Sequence, residues 1–182
     1  MSSPIPCYFI ESLRDLNPTV LWASFFINPA IALMNWYSKP FPCTVVYEHI
    51  VSETLKPASG EAQVEFDWSA ETFPDCARLL HTLQRESIVE YAAIAAAFLV
   101  MTNLVGTGIA EVTMRGDKAD YFVDGRKYLL EVSGTESAEH LGSRHGEKIR
   151  QLQANTLGKD GYVFVCCFAN QRARLSFHRR PA

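Results

Sequence analysis

The sequence predicts an α/β fold ordered helix, three strands, helix, strand, with a mixed sheet flanked by helices and an N-terminal α/β elaboration. Three observations carry that expectation. Apolar residues at helical spacing from Leu79 to Ala92 give way, after Gly106 and Gly108, to three short extended runs. A second helical pattern then spans residues 137–157. Last comes a nearly continuous apolar run, residues 162–168, of the kind buried on both faces at a sheet centre. This division sets an aromatic-rich elaboration at residues 1–74 against an α/β core at residues 75–182.

The elements follow in order. Residues 16–38 carry no charged side chain and include Leu21, Trp22, Phe25, Phe26, Ile27, Ile31, Leu33, Met34 and Trp36. A membrane span needs about 20 mostly apolar residues. Pro18, Pro29, Asn17, Asn28 and Asn35 interrupt this one, so a buried or partner-covered helical segment is expected rather than a membrane helix. Such apolar surface is also a candidate homodimer face. Residues 43–51 are β-branched and aromatic, residues 62–68 alternate apolar and polar, and the turn residues 56–60 lie between them, which predicts a hairpin.

Pro74 and Asp75 then start a helix expected to run to about Asn103, with Leu79, Leu80, Leu83, Ile88, Tyr91 and Ala92 on its stripe. Residues 92–101 are apolar on every side, which requires packing on more than one face. Strands are expected at residues 109–114, 118–123 and 127–133, the last two joined by a tight turn at Asp124 and Gly125. In the next helix Leu141, Ile149 and Leu152 form a sparse stripe weakened by Gly142 and Gly146. Cys166 and Cys167 read as the core and surface residues of one strand, and residues 173–178 close the sheet.

Composition bounds the function. In 182 residues the hydrophobic share is 48% and the charged share 20%, which excludes a disordered chain. The net charge of −3 excludes a molecule that binds phosphate backbones over its whole surface, so any such contact is local. Basic residues gather late, at Arg144, His145, Lys148 and Arg150 and again at Arg172, Arg174, His178, Arg179 and Arg180. Cys7, Cys43, Cys76, Cys166 and Cys167 are odd in number and form no C-x-x-C pair, which argues against a disulfide framework or a structural zinc site. Glu11, Arg14 and Asp15 interrupt any N-terminal signal pattern, so a cytoplasmic location is expected.

The chemistry concentrates in residues 116–134. Residues two apart on a strand share a face, so Asp120 groups with Lys118 and Phe122, and Glu131 with Leu129 and Ser133. A hairpin that joins these faces brings Asp120 and Glu131 together. Paired carboxylates on a rigid sheet suit a hard cation such as Mg²⁺. The plain alternatives are an ion pair of Asp120 with Lys118 and a Glu131 satisfied by arginine or a backbone amide. Glu131 lies in a run otherwise fit for burial, where an unpaired carboxylate is costly. The histidines His49, His81, His140, His145 and His178 show no triad spacing, and Ser133 has no G-x-S-x-G elbow.

A helix bearing an acidic residue, three antiparallel strands with Asp120 on the second and Glu131-x-Ser133 on the third, then helix and strand, resembles the PD-(D/E)xK nucleases, which share the restriction-endonuclease-like core. The resemblance covers residues 75–168, about half the chain. It implies that Asp120 and Glu131 bind Mg²⁺ or Mn²⁺, with Glu90 or Glu86 as the helix carboxylate. Ser133 stands where the family has its lysine. Members with a migrated lysine resemble this arrangement, and Lys148 is then preferred over Lys118 for that role. The implied activity is hydrolysis of phosphodiester bonds in nucleic acid, DNA before RNA. The alternative is a catalytically inactive nuclease-fold scaffold within an oligomer or larger complex.

Overall fold

The computed structural model describes residues 4–16, 25–56, 58–71, 76–114 and 119–180. Pro74, Asp75 and Lys118, which carried expectations above, lie outside them, as do residues 17–24. The fold is mixed α/β, one eight-stranded mixed sheet flanked by helices. Its strands are β1 (Cys7–Phe9), β2 (Phe41–Glu48), β3 (Gly60–Asp67), β4 (Ile109–Val112), β5 (Tyr121–Val123), β6 (Tyr128–Thr135), β7 (Gly161–Cys167) and β8 (Arg172–His178). Across the sheet they run β1-β3-β2-β8-β7-β6-β5-β4. The pairs β1/β3, β2/β8 and β6/β7 are parallel and the rest antiparallel.

The helices are α1 (Leu13–Leu16), α2 (Ile27–Tyr37), α3 (Leu79–Thr82), α4 (Arg85–Val100) and α5 (His140–Gln153). A single long helix from residue 75 is not what forms. The backbone is extended at Gln84, and α4 starts afresh with Glu86 in its first turn, where a carboxylate favours the helix dipole. A π-helical turn, Met101–Val105, ends it, and Gly106 closes it with φ 78°, a left-handed conformation that glycine adopts without strain. The run Arg85–Val105 is long and apolar enough to cross a membrane, yet 72% of its most apolar window is buried inside the fold.

Alternation along β6 assigns its two faces. Leu130, Val132 and Gly134 turn toward α4 and join the main core with Tyr162, Phe164 and Cys166 of β7. Leu129 turns the other way, with Val163, Val165 and Cys167, under Leu141 and Leu152 of α5. Helices thus cover both faces of β7, all of whose residues are buried. Cys166 and Cys167 are accordingly both core residues rather than one core and one surface. The N-terminal hairpin continues the same sheet, because β2 pairs with β8 from Thr44 to Glu48. In α2 the residues Ile27 and Pro29–Met34 are buried within the chain, partly against α4, while Phe25 and Trp36 stay exposed.

One close approach positions the site. A Cβ on Gly134 would lie 2.5 Å from the carbonyl oxygen of Val89. Only glycine lets α4 press this close to β6, and the residue after Val89 is Glu90.

Candidate active site

The second strand of the meander is shorter than its sequence suggests. Pairing of β5 with β6 ends at Tyr121 opposite Leu130, although Asp120 still donates its N–H to the Leu130 carbonyl at 3.2 Å. On β6 the odd-numbered Leu129 sends its N–H toward the β7 side, to Asp160, so the even-numbered amides point to the other edge. Past Leu130 that edge has no strand partner. A carboxylate takes the strand's place: Val132 N–H donates to Asp120 Oδ2 at 2.8 Å, and the Gly134 N–H near Glu90 helps to hold its pKa down. The edge amides of β6 therefore gather acidic groups there.

Glu131 completes the cluster from the α5 face, its side chain fully buried. Lys148 Nζ, from α5, donates to Glu131 Oε2 at 2.7 Å and lies 3.6 Å from Asp120 Oδ2. Exposure rises from 0% at Glu131 to 17% at Lys148 and 34% at Asp120, so the cluster runs from the interior to the surface. Arg144, one helical turn before Lys148, donates to Ser133 Oγ at 3.3 Å. Thus Asp120, Glu131 and Lys148 meet, with Glu90 within electrostatic reach of Lys148 and Asp120. Glu86 is exposed and lines an adjoining cleft of about 240 Å³ with Arg85, Glu90, Gly134, Glu136 and Arg144.

Electrostatics follow from burial and crowding. Desolvation, then the charge of Asp120, raises the Glu131 pKa to about 7, against the opposing pull of Lys148. A proton shared with Asp120 also favours the neutral acid. Burial raises Glu90 as well, with Lys148 opposing and Asp120 adding to the rise. For Lys148 the largest influence is burial, which lowers its pKa, but Asp120, Glu131 and Glu90 together outweigh it and the ammonium is held charged.

Glu131 Oε1 is buried and accepts no hydrogen bond. An orphaned buried carboxylate oxygen is costly without a cation, and oxygen-only donors suit Mg²⁺, which typically takes one or two carboxylates and keeps several waters. The residues present therefore fit Mg²⁺ or Mn²⁺. They do not suit an ion that needs a full protein cage, since among the described residues no three His, Cys, Asp or Glu side chains converge to hold one.

Sequence spacing missed a second polar cluster on the α5 face. His145 Nε2 and His178 Nε2 both contact Ser176 Oγ, at 2.9 and 2.7 Å. Alternation on β8 does place Ser176 and His178 on one face, but their partner comes from a helix and no spacing announces it. Comparisons with protein-family models, with curated proteins and with solved structures found no match for this chain.

Proposed function

We propose that this protein is a metal-dependent nuclease that cleaves phosphodiester bonds in nucleic acid, with a restriction-endonuclease-like core in α4, β4, β5, β6, α5 and β7. The observation that carries the reading is the buried Glu131, its Oε1 orphaned, set against Asp120 and Glu90 with a lysine supplied from the next helix. Two carboxylates on one partly buried lysine, with a third in electrostatic reach and shifted pKa values in the group, are the kind of cluster that active sites use.

Asp120 and Glu131, with Glu90 beside them, would hold Mg²⁺ or Mn²⁺, which when bound lowers the pKa of a water and offsets charge on a phosphate. The chain's own residues do the rest. Val132 N–H fixes Asp120, so this carboxylate needs no reorganisation when a phosphate arrives. Lys148 takes over the role that Ser133 cannot fill, as an ammonium held charged beside Glu131, able to orient a water or a phosphate oxygen. Ser133 instead steadies Arg144.

The test is cleavage of DNA and RNA by purified protein with Mg²⁺ or Mn²⁺. Asp120→Ala and Glu131→Ala are expected to abolish cleavage, and Lys148→Ala to reduce it at least about 100-fold. Cleavage that persists in both carboxylate variants rejects the proposal.

A second reading draws on a different surface. Phe25 and Leu83 are exposed beside a largely apolar groove of about 750 Å³ that Phe26, Pro29 and Tyr91 also line. Such a surface favours a scaffold or homodimer role for the segment at residues 16–38. Inactive protein that is dimeric in solution, with the dimer lost in Phe25→Glu, would support it.

A further inference from the structure

We propose that the cleft beside the carboxylates receives a single-stranded polynucleotide, with Trp36 as the surface on which one base stacks and Arg144 as a contact to a neighbouring phosphate. The inference rests on the nuclease reading and specifies its substrate class. Trp36 sits on the last turn of α2, a helix that buries seven of its residues, yet the indole is 66% exposed. An exposed indole on a rigid support is a stacking platform.

The support is rigid because the ends of three elements lock together behind it. The Arg85 guanidinium, at the start of α4, lies 5.4 Å from the Trp36 ring centre. Arg85 Nε donates to Glu136 Oε2 at 2.8 Å, just past the end of β6, and its second nitrogen bonds the other oxygen. Tyr37, next to Trp36, donates its hydroxyl to the same carboxylate. Arg85 and Glu136 are walls of the cleft that Glu90 also lines. Glu90 lies five positions after Arg85 on α4, a rise of about 7.5 Å, so the platform borders, through Arg85, the cleft that Glu90 lines.

The other contact is charged. Of the two arginines lining the cleft, Arg85 is neutralised by Glu136. Arg144 is bonded to the neutral Ser133 hydroxyl, feels Glu90 only through space and makes no ion pair among the described residues, so its guanidinium can take a phosphate. A double helix fits these features poorly. Its bases are already stacked and offer Trp36 no free face, and its binding draws on many phosphate contacts, which a chain of net charge −3 with a narrow basic element does not provide. An unpaired strand needs only the platform and a few phosphate contacts.

The test uses the full chain in chelator, so that binding is read apart from cleavage. Fluorescence anisotropy follows a short labelled DNA strand, the same sequence as RNA, and the blunt DNA duplex. Single strands are expected to bind at least about tenfold more tightly than duplex, and the DNA and RNA arms show which polymer is preferred. Trp36→Ala should weaken single-strand binding about tenfold, with Trp36→Phe retaining most of the affinity. Arg144→Ala should lower the slope of log affinity against log salt by about 0.7. Unchanged single-strand affinity in Trp36→Ala, or duplex binding as tight as single-strand binding, overturns the proposal. So does a Trp36→Ala variant that only converts a dimer to monomer, which would assign the indole to a protein interface. Should cleavage survive Asp120→Ala and Glu131→Ala while Trp36-dependent strand binding holds, the nuclease reading alone fails.

Discussion

At Glu131 burial and Asp120 push the carboxyl toward its protonated form while Lys148 pulls the other way, and the balance leaves its pKa at about 7. The consequence for stability has a definite sign. An unfolded glutamate loses its proton near pH 4.5, the folded one near 7, so between those values the native state binds more protons and stability falls as pH rises. The shift is worth about 3 kcal/mol, fully present below pH 4.5 and lost above about 7. Glu131→Gln removes the titration and keeps the shape. In chelator the stability of this variant relative to wild type should rise by about 3 kcal/mol between pH 4.5 and 7, leaving it the more stable protein at pH 8, while cleavage is lost. Urea midpoints across that range check it, and a wild-type curve that the variant reproduces would show that Glu131 ionises as freely folded as unfolded.

Among the elements, α4 and β6 depend on each other through Gly134. A methyl there would meet Val89 at 2.5 Å from its carbonyl oxygen and 2.7 Å from a side-chain carbon, and neither can yield without moving the helix. Gly134→Ala should therefore cost about 1–3 kcal/mol in urea unfolding and carry Glu90 away from the Gly134 amide, with weaker cleavage as the functional sign. Ala93→Gly in the same chain should not restore activity, since the obstruction is chiefly at Val89. This dependence was only partly legible in the sequence. Alternation and the Asp124-Gly125 turn located β6, and the apolar residues 92–101 announced a helix packed on more than one side. The break at Gln84 was not legible, because the helical spacing of Leu79, Leu80 and Leu83 runs on into that of Ile88, and only the extended backbone at Gln84 separates them. Nor was the late start of β5, where Asp120 stands just before Tyr121 and its side chain replaces a strand by taking the Val132 amide. The convergence of Asp120, Glu131 and Lys148 was readable because register extends opposite pairs in sequence, and a helix following β6 must return across that face. Trp36 and Ser133 acquire their neighbours, Arg85 and Arg144, from contacts whose partners no local pattern specifies.

On the scale of the whole molecule, the sheet joins the N-terminal hairpin to the rest through β2 and β8, and the helix α5 braces that junction from one side. His145 of α5 is buried against Ser176 and His178 of β8, with Arg174 nearby in its pair with Glu48 of β2. The Ser176 hydroxyl has one proton, so it donates to one imidazole and accepts from the N–H of the other. Burial first, then the positive charge of Arg174 and the neighbouring His178, lower the His145 pKa to about 4, with Glu48 opposing. Here the unfolded state takes the proton first, near pH 6.5, and the native state only near 4, so stability falls as pH drops through that window. The loss amounts to about 3 kcal/mol and is opposite in sign to that of Glu131 over an overlapping range. The two slopes oppose each other between about pH 4.5 and 6.5. His145→Gln, which keeps a side chain able to bond Ser176 but does not titrate, should remove the slope that opposes Glu131. Its unfolding free energy relative to wild type is then expected to rise steadily from pH 6.5 down to 4.5, and a difference that does not change with pH would mean that His145 is not the group that opposes Glu131.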